Sequence, residues 1–315
     1  MKKTVLLFCF LIVLFTGCKA YKEPIRISIN GWPPCELWYI AQEQGYFEDI
    51  PVEIIRFSTW SDSIASLYAG KTDLTHSTYL NTMRNHNKGE NGKIILTTSR
   101  IDGADGLVVK NYINDLKELK GKEIAVEVAT DEHFLLYKAL EKIGISDKDV
   151  KIISTTSEKA MKLFVAGEVD ACFTYDPFMN QAAKNGNGRV AITTEDIDGY
   201  NDAIIAKTKT LEKRPEDYKV LINAWYKAQE YVINNPDEAY KLMASKENMS
   251  VKEFQAFYNS FYFFTPNENK TMFSAGVLKT HINELNEFLL KNNLLQDPVN
   301  AIDIYSEEII NNITD

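Results

Sequence analysis

The same pattern occurs twice in this sequence, about 97 residues apart: Leu67-Tyr68-Ala69-Gly70-Lys71-Thr72-Asp73 and Phe164-Val165-Ala166-Gly167-Glu168-Val169-Asp170. In each copy an apolar helical stretch ends in Ala-Gly, and an aspartate follows three residues after the glycine. A glycine just past a helix can adopt the left-handed conformation that terminates the helix. Because a repeat at a fixed spacing points to a duplicated structural unit, we infer two copies of one unit.

The segments around each copy predict the same order of strands and helices. The first unit has strand patterns at 27–29, at 52–55 and from 74, with helical patterns at 37–44 and 59–69. The second unit has strand patterns at 124–126, 150–153 and 171–173, with helical patterns at 134–143 and 157–166. Alternating strands and helices indicate parallel sheets covered on both faces.

Two such units predict an α/β protein with two lobes. We expect a discontinuous first lobe, 25–110 plus 203–315, and a second lobe, 111–202, with 106–110 and 202–207 as paired crossover segments. From residue 215 the pattern is helical, and Ser250 with Glu253 forms a capping box. The aromatic run 261–264 is interpreted as core or lobe packing. Ligands of open α/β sheets lie beyond the carboxyl ends of the strands, so we expect a cleft between the lobes.

The N-terminus has the features of an export signal. Lys2 and Lys3 precede an apolar run at 5–15 that is too short to cross a membrane. The run ends in Phe15-Thr16-Gly17-Cys18, which resembles the lipobox of bacterial lipoproteins. We predict a signal peptide at 1–17, a tether at 18–24 and acylation of Cys18, which would anchor the protein to the outer face of the cell membrane. An ordinary cleaved signal is the alternative.

The amino-acid composition limits the kinds of partner that the protein can bind. The 315-residue chain has a net charge of -9 and no basic run, which argues against nucleic acid as a partner. Removal of 1–17 leaves 33 basic and 44 acidic residues, a net charge of -11. After residue 20, no stretch has the roughly 18 apolar residues that a membrane span requires. We place Cys35 and Cys172 on opposite lobes and expect two separate thiols.

The chain resembles the solute-binding proteins of ABC importers for nitrate, taurine and aliphatic sulfonates, a family that includes binders of thiamine-pyrimidine precursors. The resemblance covers nearly all of the chain after the signal and is carried by Gly31-Trp32-Pro33-Pro34 and by the segments 41–47, 69–73, 99–106, 119–125, 166–171 and 175–178. It implies a periplasmic-binding-protein-like type II fold, two α/β lobes joined by two crossover strands. It also implies closure about the hinge without catalysis, a small-molecule ligand, and permease and ATPase partners. We further expect a monomeric protein and no cofactor.

Residues that follow strands or begin helices are the candidates for ligand contact. They are Trp32, Ser58, Thr59, Ser77, Thr78, Asp102, Thr130, His133, Tyr175, Asp176 and Asn201. An aromatic ring can cover an apolar body or a cation, and helix starts offer free N–H groups. Thr59 and Thr130 can instead be plain N-caps, and His133 a structural histidine. Tyr175-Asp176-Pro177 stands where the family usually has Trp-Glu-Pro.

The charged residues predicted near the cleft do not decide which ligand is bound. Five carboxylates map near the cleft, at Asp102, Glu127, Asp131, Glu132 and Asp176, whereas Arg100 is the one nearby cation by sequence. A sulfonate, taurine, nitrate or aminopyrimidine remains possible.

Two other classes of function stay open as well. They are a ligand-sensing lipoprotein without transport and, less favoured, a biosynthetic enzyme on the same fold. The histidines His76, His86, His133 and His281 lack metal-ligand spacing, and we predict no catalytic or metal-binding residues.

Overall fold

The structure, a computed structural model, describes residues 22–89, 91–197, 201–311 and 313. The predicted signal peptide and Cys18 lie outside the described residues. The described chain folds into two separate β-sheets with helices packed around them. The architecture is therefore α/β with two sheet-centred units, as the repeat predicts.

The first sheet has six strands, in the order β11-β4-β10-β3-β1-β2. Their bounds are β1 Ile25–Ile29, β2 Val52–Arg56, β3 Leu74–Thr78, β4 Gly92–Ile101, β10 Asp202–Lys207 and β11 Phe261–Phe263. The three strands of the first repeat unit pair in parallel, with β1 between β2 and β3. Strand β10 runs antiparallel to β3 and β4, and β11 runs antiparallel to β4.

The second sheet has five strands, in the order β7-β6-β8-β5-β9. Their bounds are β5 Asp105–Lys110, β6 Glu123–Val126, β7 Lys151–Ser154, β8 Ala171–Tyr175 and β9 Gly188–Thr193. Strand β6 lies in parallel between β7 and β8, and β5 is antiparallel to β8 and β9. The two sheets thus place equivalent strands in equivalent positions, which confirms the predicted duplication.

Helices connect the strands and form the C-terminal part of the chain. Those of the two units are α1 Leu37–Glu43, α2 Trp60–Tyr68, α3 Tyr79–Asn87, α4 Asp131–Lys142, α5 Ser157–Ala166 and α6 Phe178–Asn185. The others are α7 Thr208–Lys213, α8 Pro215–Asn234, α9 Pro236–Glu247, α10 Val251–Tyr258, α11 Pro266–Ser274, α12 Val277–Lys291, α13 Ala301–Ile304 and α14 Glu307–Ile310. Gly70 and Gly167 take φ values of 73° and 78°, as the helix exits predict, and the capping box of Ser250 with Glu253 is present.

Each unit extends further than the sequence pattern shows. In the first unit α3 and β4 follow β3, and in the second α6 and β9 follow β8. Helix α3 is predominantly polar, with Asn81, Arg84 and Asn85 among its nine residues, so it lacks a clear apolar stripe. Its position is decided by packing of the few apolar side chains onto β4 and not by periodicity alone.

The chain passes between the sheets twice, at 102–104 after β4 and again between β9 and β10. The segment that we assign from sequence to the end of the first lobe, Asp105–Lys110, pairs with β8 and β9 of the second sheet. Strand Asp202–Lys207 pairs within the first sheet. The lobe limits themselves remain a prediction.

Each sheet has its own hydrophobic core. Cys35 belongs to the core around the first sheet and Cys172 to a core on one face of the second, and both are buried free thiols. The aromatic run pairs with β4 through β11, and Phe261 packs edge-on against Trp32 with ring centroids 4.9 Å apart. The predicted packing role of this run is confirmed.

Candidate ligand-binding site

The two sheets approach each other at helix starts. Thr78 ends β3 and caps α3, and its Oγ1 donates a 3.2 Å hydrogen bond to Oδ2 of Asp131, the first residue of α4. Arg84 of α3 donates from Nη1 to the backbone oxygen of Ala129, at 2.5 Å. Elements from the two repeat units therefore meet where their strands end, which is where the topology predicts a cleft.

Trp32 forms one wall of this cleft. Its Nε1 donates a 2.9 Å hydrogen bond to Oδ2 of Asp202, which also accepts from Ser99 Oγ at 3.2 Å. The indole ring stands edge-on to the rings of Trp60 and Phe257, with centroids 5.9 Å away in each case. The side chain is half-buried, so part of the ring remains accessible to a ligand.

Four carboxyl groups surround the same place. Asp105 and Asp202 are buried, with 3% and 2% of their surface exposed. Burial, reinforced by the charge of Glu132, raises the pKa of Asp131 to about 8. Burial raises the pKa of Asp202 to about 7, against the effect of the Trp32 hydrogen bond. The pKa values of Asp105 and Glu132 are raised as well, chiefly by burial.

The second sheet contributes a polar rim. Glu127 Oε2 accepts hydrogen bonds from the backbone nitrogen and Oγ of Ser157, at 3.0 and 3.1 Å, at the start of α5. Glu132 Oε1 lies 3.3 Å from the same Oγ. Tyr175 ends β8 and is 37% exposed, with its ring edge-on to Phe178. Burial and the charges of Glu132 and Glu127 raise the pKa of its hydroxyl.

Two predicted contacts, Asp102 and Asn201, line a different space. They border a cavity of about 620 Å³ that is also lined by α4, the 194–197 segment and the C-terminal helices α11 and α12. Asp102 forms an ion pair with Arg100, in which Oδ1 of the aspartate lies 2.9 Å from Nε of the arginine. Arg100 in turn lies over the ring of Tyr262, 4.5 Å from its centroid. The cavity therefore lies beside the chain crossings.

The predicted hydroxyl contacts have different surroundings. Thr59 caps α2, exchanging hydrogen bonds with the backbone and side chain of Asp62. Thr130 Oγ1 donates to the backbone oxygen of Glu127 at 2.6 Å and does not cap α4. Ser58 is exposed. Ser77 is fully buried, and its Oγ has no hydrogen-bond partner in the described part of the chain.

His133 and Asp176 have structural partners. The His133 ring is 6% exposed and packs edge-on against Phe288, at 5.1 Å, while Nδ1 accepts a long 3.4 Å hydrogen bond from Ala129. Burial lowers the pKa of His133. Asp176 accepts hydrogen bonds from the backbone and side chain of Asn180 at the start of α6.

The structure adds Asp105 and Asp202 to the site, although neither is among the residues predicted from sequence. Both stand at the cleft ends of strands that return from the other sheet. By sequence, Asp105 lies just before the first crossover segment and is interpreted as a structural residue, and Asp202 starts the second. A census of carboxylates that included the crossover segments and the residues flanking them could have found both. Asp131 and Glu132 were recognised as nearby charges but not as contacts.

A second contact between the units lies along α4, away from the cleft. Lys138 Nζ is 3.5 Å from Glu284 of α12, and Lys291 donates to Asp147 at 2.8 Å. Phe134 of α4 stands edge-on to Phe288, at 5.2 Å between centroids. Helix α12 packs into the core of the first sheet, so these pairs join the two units.

No helix among the described residues is long and apolar enough to cross a membrane. Within the same residues, no group of three or more histidine, cysteine, aspartate or glutamate side chains has a metal-binding arrangement.

The fold places this chain among proteins of the periplasmic-binding-protein fold. The periplasmic aliphatic sulphonate binding protein SsuA of Escherichia coli superposes with a TM-score of 0.76 at 17% identity, covering 91% of this chain and 92% of its own. The desulfurization enzyme DSZB has the same fold, with a TM-score of 0.65 at 16% identity and coverage of 92% and 98%. The fold by itself is thus common to binding proteins and an enzyme.

The family description NMT1/THI5 like matches residues 33–239, and the chain belongs to this family. A putative aliphatic sulfonates-binding protein of Bacillus subtilis is 27% identical over 267 residues, 80% of each chain. The taurine-binding periplasmic protein of Escherichia coli is 28% identical over 149 residues, 46% of each chain. The predicted resemblance is confirmed, and these sequence relatives are binding proteins by name.

Proposed function

We propose that this protein is the extracytoplasmic solute-binding component of an ABC importer and that it captures a small polar solute between its two lobes. The observation that carries the proposal is the approach of the two units at Thr78 and Asp131, beside Trp32 and Tyr175. A solute held there touches both lobes, so it binds the closed form more tightly than the open form and shifts the population toward closure.

The hinge, in this proposal, consists of the two chain crossings, at 102–104 and between β9 and β10. Of the residues predicted from sequence, we assign direct solute contact to Trp32, Thr78 and Tyr175. Asp102 and Asn201 act beside the crossings, because they line the adjoining cavity. The solute leaves chemically unchanged, and mass spectrometry of the released compound should recover the mass of the compound that was added.

Membrane attachment through acylated Cys18 is part of the proposal. An acylated N-terminus with two or more chains gives stable anchoring and would keep the protein near its permease and ATPase. Cys18→Ala should move the protein from the membrane fraction to the soluble extracytoplasmic fraction. Retention of this variant in the membrane would overturn the anchor without affecting the binding function.

A ligand screen tests the binding function. Purified protein from residue 22 onward, expected to be monomeric by size-exclusion chromatography, is melted with sulfonates, taurine, nitrate, aminopyrimidines and amines. A bound solute raises the melting temperature by mass action, and small-angle scattering should show compaction with the same compound. Deletion of the gene should abolish uptake of that compound. Binding with unchanged uptake would instead identify a sensor.

A further inference from the structure

Within the part of the chain that the structure describes, the carboxyl groups of the cleft outnumber the cations that act on them. Only 3% of the surface of Asp105 is exposed, and none of the described residues donates a hydrogen bond to its side chain. The charges that act on it belong to Glu132, Asp131, Asp202 and Asp176. Buried carboxyl groups are ordinarily paired with cations or hydrogen-bonded, so this group can take a partner that the described residues do not supply.

Asp131, which also belongs to the unit around the second sheet, likewise has a carboxyl oxygen without a partner among the described residues. Its Oδ2 accepts from Thr78, but its Oδ1 is shielded from solvent and has no hydrogen-bond partner in the described ranges. Arg84 is the cation that acts on it, and that guanidinium donates to the backbone oxygen of Ala129. Among the described residues, Arg84 acts on Asp131, and no cation is among the leading effects on the pKa of Asp105, Glu132 or Asp202.

Aromatic rings adjoin these carboxyl groups. Trp32 is hydrogen-bonded to Asp202 and surrounded by Trp60, Phe257 and Phe261. From the second sheet, Tyr175 is electrostatically coupled to Glu132 and Asp105 and is 37% exposed. Aromatic faces attract organic cations, most strongly where water is excluded. Carboxylates and aromatic rings together form a site for a positively charged group.

We propose that the solute carries a positively charged nitrogen group, such as an ammonium, an amidinium or a protonated ring nitrogen, which is seated among Asp105, Asp131 and Asp202 beside Trp32. This inference rests on the proposed function and specifies the substrate class of the same cleft. A free sulfonate or nitrate would be repelled by each of these carboxyl groups in its ionised form, which costs binding energy. The solute then differs in charge from the aliphatic sulfonates named for the relatives.

Proton release gives the inference a distinctive signature. The groups that face the seat are Asp105, Glu127, Asp131, Glu132, Asp176 and Asp202, with Tyr175 and the cation Arg84. With pKa values of about 8 for Asp131 and about 7 for Asp202, protons are bound to this group at pH 7 in the free protein. A cation lowers these pKa values and expels protons, whereas an anion raises them and draws protons in.

The experiment uses choline, putrescine, agmatine and thiamine as cation probes, and ethanesulfonate and nitrate as anion probes. Each is screened by thermal shift, and the best cation is titrated calorimetrically at pH 7 in buffers of different ionisation enthalpy. We expect stabilisation by at least one cation, with release of up to about one proton per bound molecule. Asp131→Asn and Asp202→Asn should each lower the affinity for that cation by about tenfold or more.

A matched control and two adverse outcomes decide the matter. Asp303→Asn removes an exposed carboxylate of α13 and should leave affinity and proton release unchanged. Stabilisation by ethanesulfonate or nitrate with proton uptake would overturn the cationic solute while leaving the binding function intact. Absence of stabilisation by all four cations would also overturn it, and failure of the wider panel described above would remove the proposed function too.

Discussion

Thr78 Oγ1 and Asp131 Oδ2 are joined by a hydrogen bond of 3.2 Å between the N-cap residue of the third helix and the first residue of the fourth. The two residues are 53 positions apart and belong to different repeat units. Thr78 is 2% exposed and also caps its own helix, accepting from the backbone of Asn81. The contact fixes a carboxyl group at the meeting point of the units, in a setting that raises its pKa.

The free protein should lose stability as pH rises. The pKa of Asp131 is raised in the folded state to about 8 and that of Asp202 to about 7, so between about pH 4 and pH 8 the folded state binds more protons than the unfolded state. Unfolding free energy therefore decreases with pH across this window. The loss is about 5 kcal/mol between pH 5.5 and pH 8.5, so we expect the melting temperature to fall by about 10 °C.

The double variant Asp131→Asn/Asp202→Asn is the test of that pH dependence. Removing two ionisable groups should reduce the slope and raise the melting temperature at pH 8.5. A residual slope in the same direction is expected from Glu36, whose pKa burial raises to about 9, and from Asp105 and Glu132, whose pKa values burial also raises. An unchanged slope in the double variant would show that these two groups ionise normally in the folded protein.

Trp32→Phe should weaken both stability and solute binding. The substitution removes the Nε1 hydrogen bond to Asp202 while keeping an aromatic ring against Phe261. Hydrogen bonds to charged groups contribute about 1.5–3 kcal/mol, so the melting temperature should fall by about 3–9 °C. Trp60→Phe, at a ring that packs on Trp32, is the matched control. Equal losses from both variants would assign Trp32 to packing alone.

Breaking the two ion pairs that join the units, Lys138–Glu284 and Lys291–Asp147, should favour the open form. Asp147→Asn with Glu284→Gln removes the partners of Lys291 and Lys138, each pair being partly exposed and contributing about 0.2–1 kcal/mol. We expect a larger radius of gyration for the free protein by small-angle scattering, and weaker solute binding. Glu158→Gln, which breaks the Glu158–Lys162 pair within α5, should change neither quantity.

Gly106→Ala should destabilise the second sheet. A Cβ at this position would lie 2.6 Å from the backbone oxygen of Ile192 and 2.9 Å from Met179 Sδ. Because the oxygen belongs to the paired strand β9, the strands must move apart to relieve the clash. We expect a loss of about 2–4 kcal/mol of unfolding free energy, measured by urea denaturation. Ser274→Ala, at an exposed position of α11, should be nearly neutral.

Much of the fold could be predicted from the sequence, because the sequence signals are local. These signals depend on neighbouring residues only: the helix-terminating glycines Gly70 and Gly167, the apolar periodicity and the capping box at Ser250. The repeat made these signals stronger by presenting them twice. The helices α3 and α6 were not predicted, since their short polar-rich sequences become helical where the chain packs onto a sheet.

The candidate site was harder to predict from the sequence, because its residues are distant in the chain and close only in the folded structure. The sequence by itself determined that two α/β units are present, that strand ends bear Trp32, Thr78 and Tyr175, and that acidic residues outnumber basic ones. Only the tertiary structure brought Asp105, Asp131 and Asp202 to one place, 97 positions separating the first from the last. The physical reason is that the electrostatic energy of a carboxyl group depends on burial and on charges within a few ångströms, and chain order does not specify those distances.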